Sequence, residues 1–461
     1  MRMIKLPMAV FTLLLGISAG IAADDKFVVP ENDLPEALVH GRRVAFTRNG
    51  AVVVAKEERW LFDLGLNYAT PGWQEWGTQI RRSDVKDMWQ ADPQTPDLLT
   101  TRGSLFSINS DKRFQFSQQS RIVPGGLQLN YDIVPLTKQT LEGFGLVCHL
   151  PVAETPKAKV VMWPGFSEVV LPEQNDDAVL ANVTARAAVL YVSGKPRCAF
   201  IGRRGMAWSV YDDRKWRLNL FRIVARDPAL LEPLNRGESA RFSAELLLGE
   251  AAVHTIPLER GHCEVDRYGR LALFTPTGKL LEGGVASGGS SVQWLYETAE
   301  PASEMNDTLP VEPFQAHGKG VLGEKAVTYD VEAAEEETTV KTTFRFRGVL
   351  DAQERDSIKA TFAIPQVRLV GPPEPALLNK PKDEAMAAEE SVFGHAMTAT
   401  SEQGVILTLE SQTPWELQTL DVEGTPCFVL TAEARRGEDG DYETSVRFSM
   451  LQGEETGEEH P

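Results

Sequence analysis

Apolar and polar residues alternate with a period of two along much of this chain, and one such stretch occurs twice. In residues 114–151, Phe114 and Phe116 alternate with polar neighbours, and a Pro124-Gly125-Gly126 turn follows. Leu127, Leu129, Tyr131 and Ile133 then alternate again, and after Glu142 a third run, Phe144, Leu146, Cys148 and Leu150, stops at Pro151. About 213 residues later the pattern returns: Val327, Tyr329 and Val331, a Glu335-Glu336-Glu337 turn, then Val340, Thr342, Phe344 and Phe346. Asp356 takes the place of Glu142, and Ile358, Ala360, Phe362 and Ile364 run to Pro365. Alternation gives each strand one dry face, and turn residues between runs join neighbours as antiparallel hairpins. The pattern predicts an all-β chain of two tandem, related antiparallel β-sandwich modules, either separate or the halves of one supersandwich.

Each copy is preceded by a hairpin signal. Arg43-Val44-Ala45-Phe46 leads through Thr47-Arg48-Asn49-Gly50 to a second apolar run, as Leu271-Ala272-Leu273-Phe274 leads through Thr275-Pro276-Thr277-Gly278 to Lys279-Leu280-Leu281. The shared Phe-Thr-x-x-Gly sets an offset of 228, which makes the segment after it 15 residues longer in the first copy. That segment holds Trp60, Trp73, Trp76 and Trp89, and its weaker alternation predicts a long loop, a place where function often resides. Further on, Trp208 matches Trp415, and the expected modules are residues 24–256 and 265–453 with a link between them.

Composition adds the compartment. Arg2 and Lys5, an apolar stretch over residues 6–17, and small residues up to Ala23 read as a signal peptide covering residues 1–22, with the cut at Ala22 or Ala23. The stretch is short for a membrane span, and no later segment is long and apolar enough for one, so the protein is expected to be secreted or periplasmic. Removing Arg2 and Lys5 leaves 45 basic against 65 acidic residues, a net charge of −20, which disfavours nucleic-acid partners and, unless a local basic patch exists, anionic membranes and polyanionic glycans. Residues 454–461 form an acidic tail, expected to be disordered. An exported chain can form disulfides, yet Cys148 and Cys427 sit within apolar runs, where cysteine behaves as a small buried hydrophobe; the pairing of Cys148, Cys198, Cys263 and Cys427 stays open.

The residues with candidate chemistry are few. Indole faces stack on the C–H faces of sugar rings, so Trp73, Trp76 and Trp89 are candidate ligand-binding residues, with Arg81, Asp84 and Asp87 beside them to bind hydroxyls. His149 joins them because it points away from the Phe144–Leu150 face and its counterpart is Ala363. In a regular strand Glu142 and His149 fall on opposite faces, so they form no acid–base pair. His254, His262 and Cys263 match no zinc spacing, and neither a metal nor a cofactor is expected. The glycine-rich residues 283–291 lack the features of a phosphate loop and read as a flexible hairpin or strand break. Glycosidase acids converge from distant positions, so Glu142, Glu168, Asp212 and Asp213 remain open and no catalytic residue is assigned.

The stretch Gly126-Leu127-Gln128-Leu129-Asn130-Tyr131-Asp132-Ile133, leading through Glu142-Gly143 to Leu150-Pro151, resembles secreted bacterial β-sandwich proteins of the galactose-mutarotase-like supersandwich type that accompany glycoside hydrolases and polysaccharide lyases. The resemblance implies a carbohydrate-binding or accessory role, and it carries no catalytic residue across. The alternatives are a glycoside hydrolase or polysaccharide lyase using loop carboxylates, and an interaction or structural protein of the cell envelope.

Overall fold

The structure is a computed structural model. It describes residues 26–28, 34–81, 83–86, 89–92, 94–174, 178–231, 233–287, 291–295, 300–301, 314–322, 325–336, 338–347, 358–376, 395–436 and 441–452. The signal peptide, Asp87 and the acidic tail lie outside these residues. The chain is all-β and antiparallel, with short 3-10 turns between several of its strands. It divides into two compact units, one formed by Met1–Val123, Leu127–Glu154 and Ala229–Phe242, the other by Pro124–Gly126, Thr155–Pro228 and Ser243–Pro461.

In the first unit, strands Glu36–Val39, Arg42–Phe46, Val52–Lys56 and Arg59–Ala69 form a meander, and Gly143–Pro151 pairs with the last of them. Strands Thr95–Phe106, Lys112–Val123 and Gly126–Pro135 form a second run. The inward positions of the two runs meet in the core. Phe114 packs edge-on to Tyr68 at 4.9 Å and to Phe144 at 5.3 Å.

In the second unit, strands His254–Leu258, Gly261–Val265, Leu271–Thr275, Gly278–Ser287, Ile358–Pro365, Thr425–Glu433 and Trp415–Val422 build one sheet. Phe314–Leu322, Lys325–Glu336, Thr339–Arg347, Tyr442–Gln452, Val405–Ser411 and His395–Thr400 belong to another. Phe362 of the first sheet packs against Phe344 at 6.0 Å and Phe448 at 5.3 Å of the second, which makes the pair a sandwich. All four cysteines are buried, and none of them is in a disulfide.

Alternation therefore locates the strands of both copies, but the register corrects how the copies align. Thr47 N donates to Ala51 O (2.8 Å), Gly50 N to Thr47 O (2.8 Å), and Thr47 Oγ1 accepts from Asn49 N and Ala51 N. The counterpart is residues 266–270. There Asp266 N donates to Arg270 O (3.0 Å), Gly269 N to Asp266 O (2.9 Å), and Asp266 Oδ1 accepts from Tyr268 N and Arg270 N. Gly50 and Gly269 both take the left-handed conformation, φ 83° and 77°, that an L side chain avoids. The next hairpin agrees: a β-bulge falls between Val54 and Ala55 in one copy and between Leu273 and Phe274 in the other. The offset from Thr47 to Asp266 is 219, so the segment after it is six residues longer than in the second copy, not 15. The Phe-Thr-x-x-Gly match joined turns that occupy different places in the meander.

Two further expectations change. Trp60 is not in a loop but in the eleven-residue strand Arg59–Ala69. Gly283 and Gly284 do not break a strand; they lie within Gly278–Ser287, and a Cβ on Gly283 would sit 2.3 Å from Phe362 Cδ1, so the glycine admits that ring.

Candidate functional site

After strand Arg59–Ala69 the chain makes a short excursion and returns as Trp76–Thr78, with Ala69 opposite Trp76 and Asn67 opposite Thr78. Thr70 closes it: its N–H donates to Glu75 O (2.9 Å), and its Oγ1 accepts from Glu75 N (2.9 Å). Gly77 is required at the return, since a Cβ there would lie 2.1 Å from Phe106 O. At the tip, the 3-10 turn Pro71–Trp73 sets Gly72 at φ 66° and Trp73 at φ 56°. For a bulky residue that conformation costs roughly 1–3 kcal/mol and is held by its surroundings. Trp73 N donates to Thr70 O (2.9 Å), and Gly72 N donates to Glu142 Oε2 (2.7 Å). Both Trp73 and Trp76 are partly exposed. Between them Glu75 holds Arg113 at 2.5 Å, and Asp111 lies 3.3 Å from the same guanidinium.

Trp73 thus ends the 3-10 turn and Trp76 opens the return strand of the same excursion, which also involves Glu75, Arg113 and Glu142, residues the sequence did not single out as a group. The other predicted residues lie elsewhere. Arg81 is exposed, and Asp84 is paired with Lys112 at 3.4 Å. Trp89 is buried with its ring 4.7 Å from Phe46.

His149 is buried in strand Gly143–Pro151, directly opposite Asp63. Its Nδ1 lies 3.0 Å from Asp63 Oδ1. The sequence offered no partner for this histidine because the two residues are 86 positions apart and meet only through strand register.

The second unit holds a more deeply buried set of charges. Lys279, fully buried, donates to Glu282 Oε2 (2.8 Å) and to the carbonyls of Gly165 (2.5 Å) and Met162 (3.2 Å). Glu282 Oε2 also accepts from Gly165 N (3.1 Å). Glu168 Oε1 accepts from Lys279 N (2.7 Å), and its Oε2 from Lys159 (3.3 Å). Arg270 stacks on Trp163 at 3.5 Å and bonds Asp266 at 3.2 Å. Tyr191 donates to Glu264 at 2.5 Å. Burial pulls the Lys279 ammonium below its ordinary value, partly offset by Glu282. Burial also raises the Asp266 carboxyl, against the pull of Arg270. Burial first, and Glu264 second, push the Tyr191 phenol well up. Each carboxylate here is held by donors within the fold, an arrangement that fixes the Gly165 turn against the Gly278–Ser287 strand.

His254 and His262 do not converge with Cys263. His254 stacks on Phe314 at 4.8 Å, and His262 on Phe274 at 5.0 Å, with Glu264 3.3 Å from its Nε2. Among the described residues, no three His, Cys, Asp or Glu side chains gather as a metal site. No helix among them is long and apolar enough to cross a membrane.

No family model matches the chain, and no curated protein matches it. Among solved structures it is similar to HI1317, at 8% identity and a TM-score of 0.29 over 48% of this chain and 94% of that one. It is also similar to a galactose mutarotase related enzyme from Lactobacillus acidophilus, at 11% identity and a TM-score of 0.28 over 48% of this chain and 97% of that one. Both likenesses are distant.

Proposed function

We propose that this is a carbohydrate-binding β-sandwich protein, exported to the periplasm or the medium, that takes a sugar ring on Trp73 and Trp76. The observation that carries this reading is the backbone of Trp73. A tryptophan is held at positive φ on a surface turn, pinned through Gly72 by Glu142, where a glycine or asparagine would close the turn without strain. Two partly exposed indoles supply flat apolar faces, and the Glu75–Arg113 pair supplies acceptors and donors for hydroxyls. Glu75 and Glu142 are engaged by Arg113 and Gly72, which suits orienting a ligand better than transferring a proton. Affinity electrophoresis of the full chain against a panel of neutral glycans tests this. Trp73→Ala is expected to weaken binding about tenfold, as for a central aromatic anchor. Unchanged binding by Trp73→Ala and Trp76→Ala would sink the reading.

A further inference from the structure

We propose that residues 213–219, in the second unit, form a separate site for a sugar ring that carries a carboxylate, such as a uronate residue of an acidic glycan. The segment is an addition to the repeat. Strands Lys195–Asp212 and Leu220–Arg226 pair with Trp208 opposite Ala225, as Trp415–Val422 and Thr425–Glu433 pair with Trp415 opposite Ala432. Glu423 and Gly424 suffice to join the second pair, whereas seven residues join the first. Closing the hairpin does not require the extra five.

Their chemistry is sorted by direction. Asp212 and Asp213 are buried and turned inward, Asp212 onto Arg214 at 2.6 Å and Asp213 onto Arg222 at 3.1 Å. Lys215 and Arg217 are exposed. Between them stands Trp216, 51% exposed and the most open tryptophan among the described residues. Its ring is not loose. Arg222 lies 5.7 Å from the Trp216 ring centre and 4.6 Å from that of Tyr211, and the two rings are 6.5 Å apart. Arg214 is fixed in turn by the carbonyls of Pro172 and Glu173 and by Phe221 at 4.9 Å.

The result is an indole pre-set by its neighbours, with a cation on either side in sequence, on a chain whose net charge is −18. A fixed aromatic loses little freedom on binding. It offers the C–H face of a sugar ring a flat apolar partner, while an ammonium and a guanidinium match a carboxylate. A neutral sugar makes no use of the two cations. The field of the whole chain opposes every anion in proportion to its charge, so it weighs most against nucleic acid and least against a short uronate whose carboxylate meets this local pair of cations; one aromatic with two cations is a marginal anchor for an anionic membrane.

This inference stands on different residues from the Trp73 reading, and calorimetric titration of the full chain separates the two. The probes are trigalacturonate and trimannuronate, the neutral galactotriose, and phosphatidylglycerol vesicles. The expected result is at least about tenfold tighter binding of one trimeric uronate than of galactotriose, lost in Trp216→Ala and retained in Trp73→Ala. Lys215→Gln with Arg217→Asn is expected to bring uronate affinity down to the neutral level; asparagine is chosen because Arg217 sits at φ 64°. Circular dichroism confirms that these surface variants fold. Equal affinity for charged and neutral trimers, no uronate binding at all, uronate binding unaltered in Trp216→Ala, or binding to the vesicles alone would each overturn the proposal.

Discussion

Each unit sets a carboxylate at the same place in its meander, Glu282 buried and Asp63 partly so, and each partners it differently. Asp63 lies opposite Val53, one strand in from His149; Glu282 lies opposite Ala272, one strand in from Ala363. In the first unit the partner comes from across the ladder, since His149 faces Asp63. In the second the facing residue is alanine, and the cation comes from the same strand, Lys279, three residues away. Residues three apart in a regular strand point to opposite faces. Here the β-bulge intervenes: Leu281 pairs with Leu273 and Lys279 with Phe274, so Leu280 is the extra residue and the parity is reversed. The first copy has the same bulge, but Trp60 occupies the place of Lys279. The difference teaches that both copies keep the carboxylate and the bulge, and that the side chain partnering it comes from a different strand in each.

The largest effect is expected at the deeper pair. Lys279→Met leaves Glu282 buried without its cation and should cost about 3–5 kcal/mol, read by urea unfolding. Replacing both, Lys279→Met with Glu282→Leu, should recover most of that loss; no recovery would mean that the lysine matters chiefly through Met162 and Gly165. His149→Leu should cost less, roughly 1–2 kcal/mol, because the Asp63 side chain keeps 14% of its surface in contact with water. Equal losses for the two variants would break the comparison. Smaller again, Thr47→Val removes the turn acceptor of the first copy at about 1 kcal/mol, while Asp266→Ala should exceed it because Asp266 also holds Arg270. Last, the buried Cys427 thiol, pushed up to about 12 by burial and then by Glu282 and Asp421, should stay unlabelled by iodoacetamide at pH 8 until the chain is unfolded.

The strands were legible because a period of two is written directly into the chain, and residues 114–135 and 327–346 show it plainly. The alignment of the copies was less so. Thr47-Arg48-Asn49-Gly50 and Asp266-Arg267-Tyr268-Gly269 share two letters but one mechanism, an oxygen at the first position and a glycine at the fourth; the better letter match at Thr275 lay one hairpin further on. Trp73 and Trp76 could be found by composition. Glu75, Arg113 and Glu142 could not be assembled, since only strand register brings them to one turn. Trp216 stands in the sequence as a single tryptophan between charges, with no alternation around it; the seven-residue connection, set against Glu423-Gly424, is the signal that marks it. Lys279 and Glu282 were hidden by the bulge, which no count of alternating positions reveals.

The oxygen-capped turn has one more consequence. The same bonding recurs at residues 107–111, where Ser107 Oγ accepts from Asn109 N and Asp111 N, and at residues 401–405, where Ser401 Oγ accepts from Gln403 N and Val405 N. Each turn closes over five residues, so its hairpin can zip up early, before the distant strand pairings that make large β topologies slow to form. Four such corners give the chain local starting points in both units, and pulse-labelled amide exchange during refolding should find their hairpins protected ahead of the long-range Asp63–His149 and Glu282–Ala363 ladders.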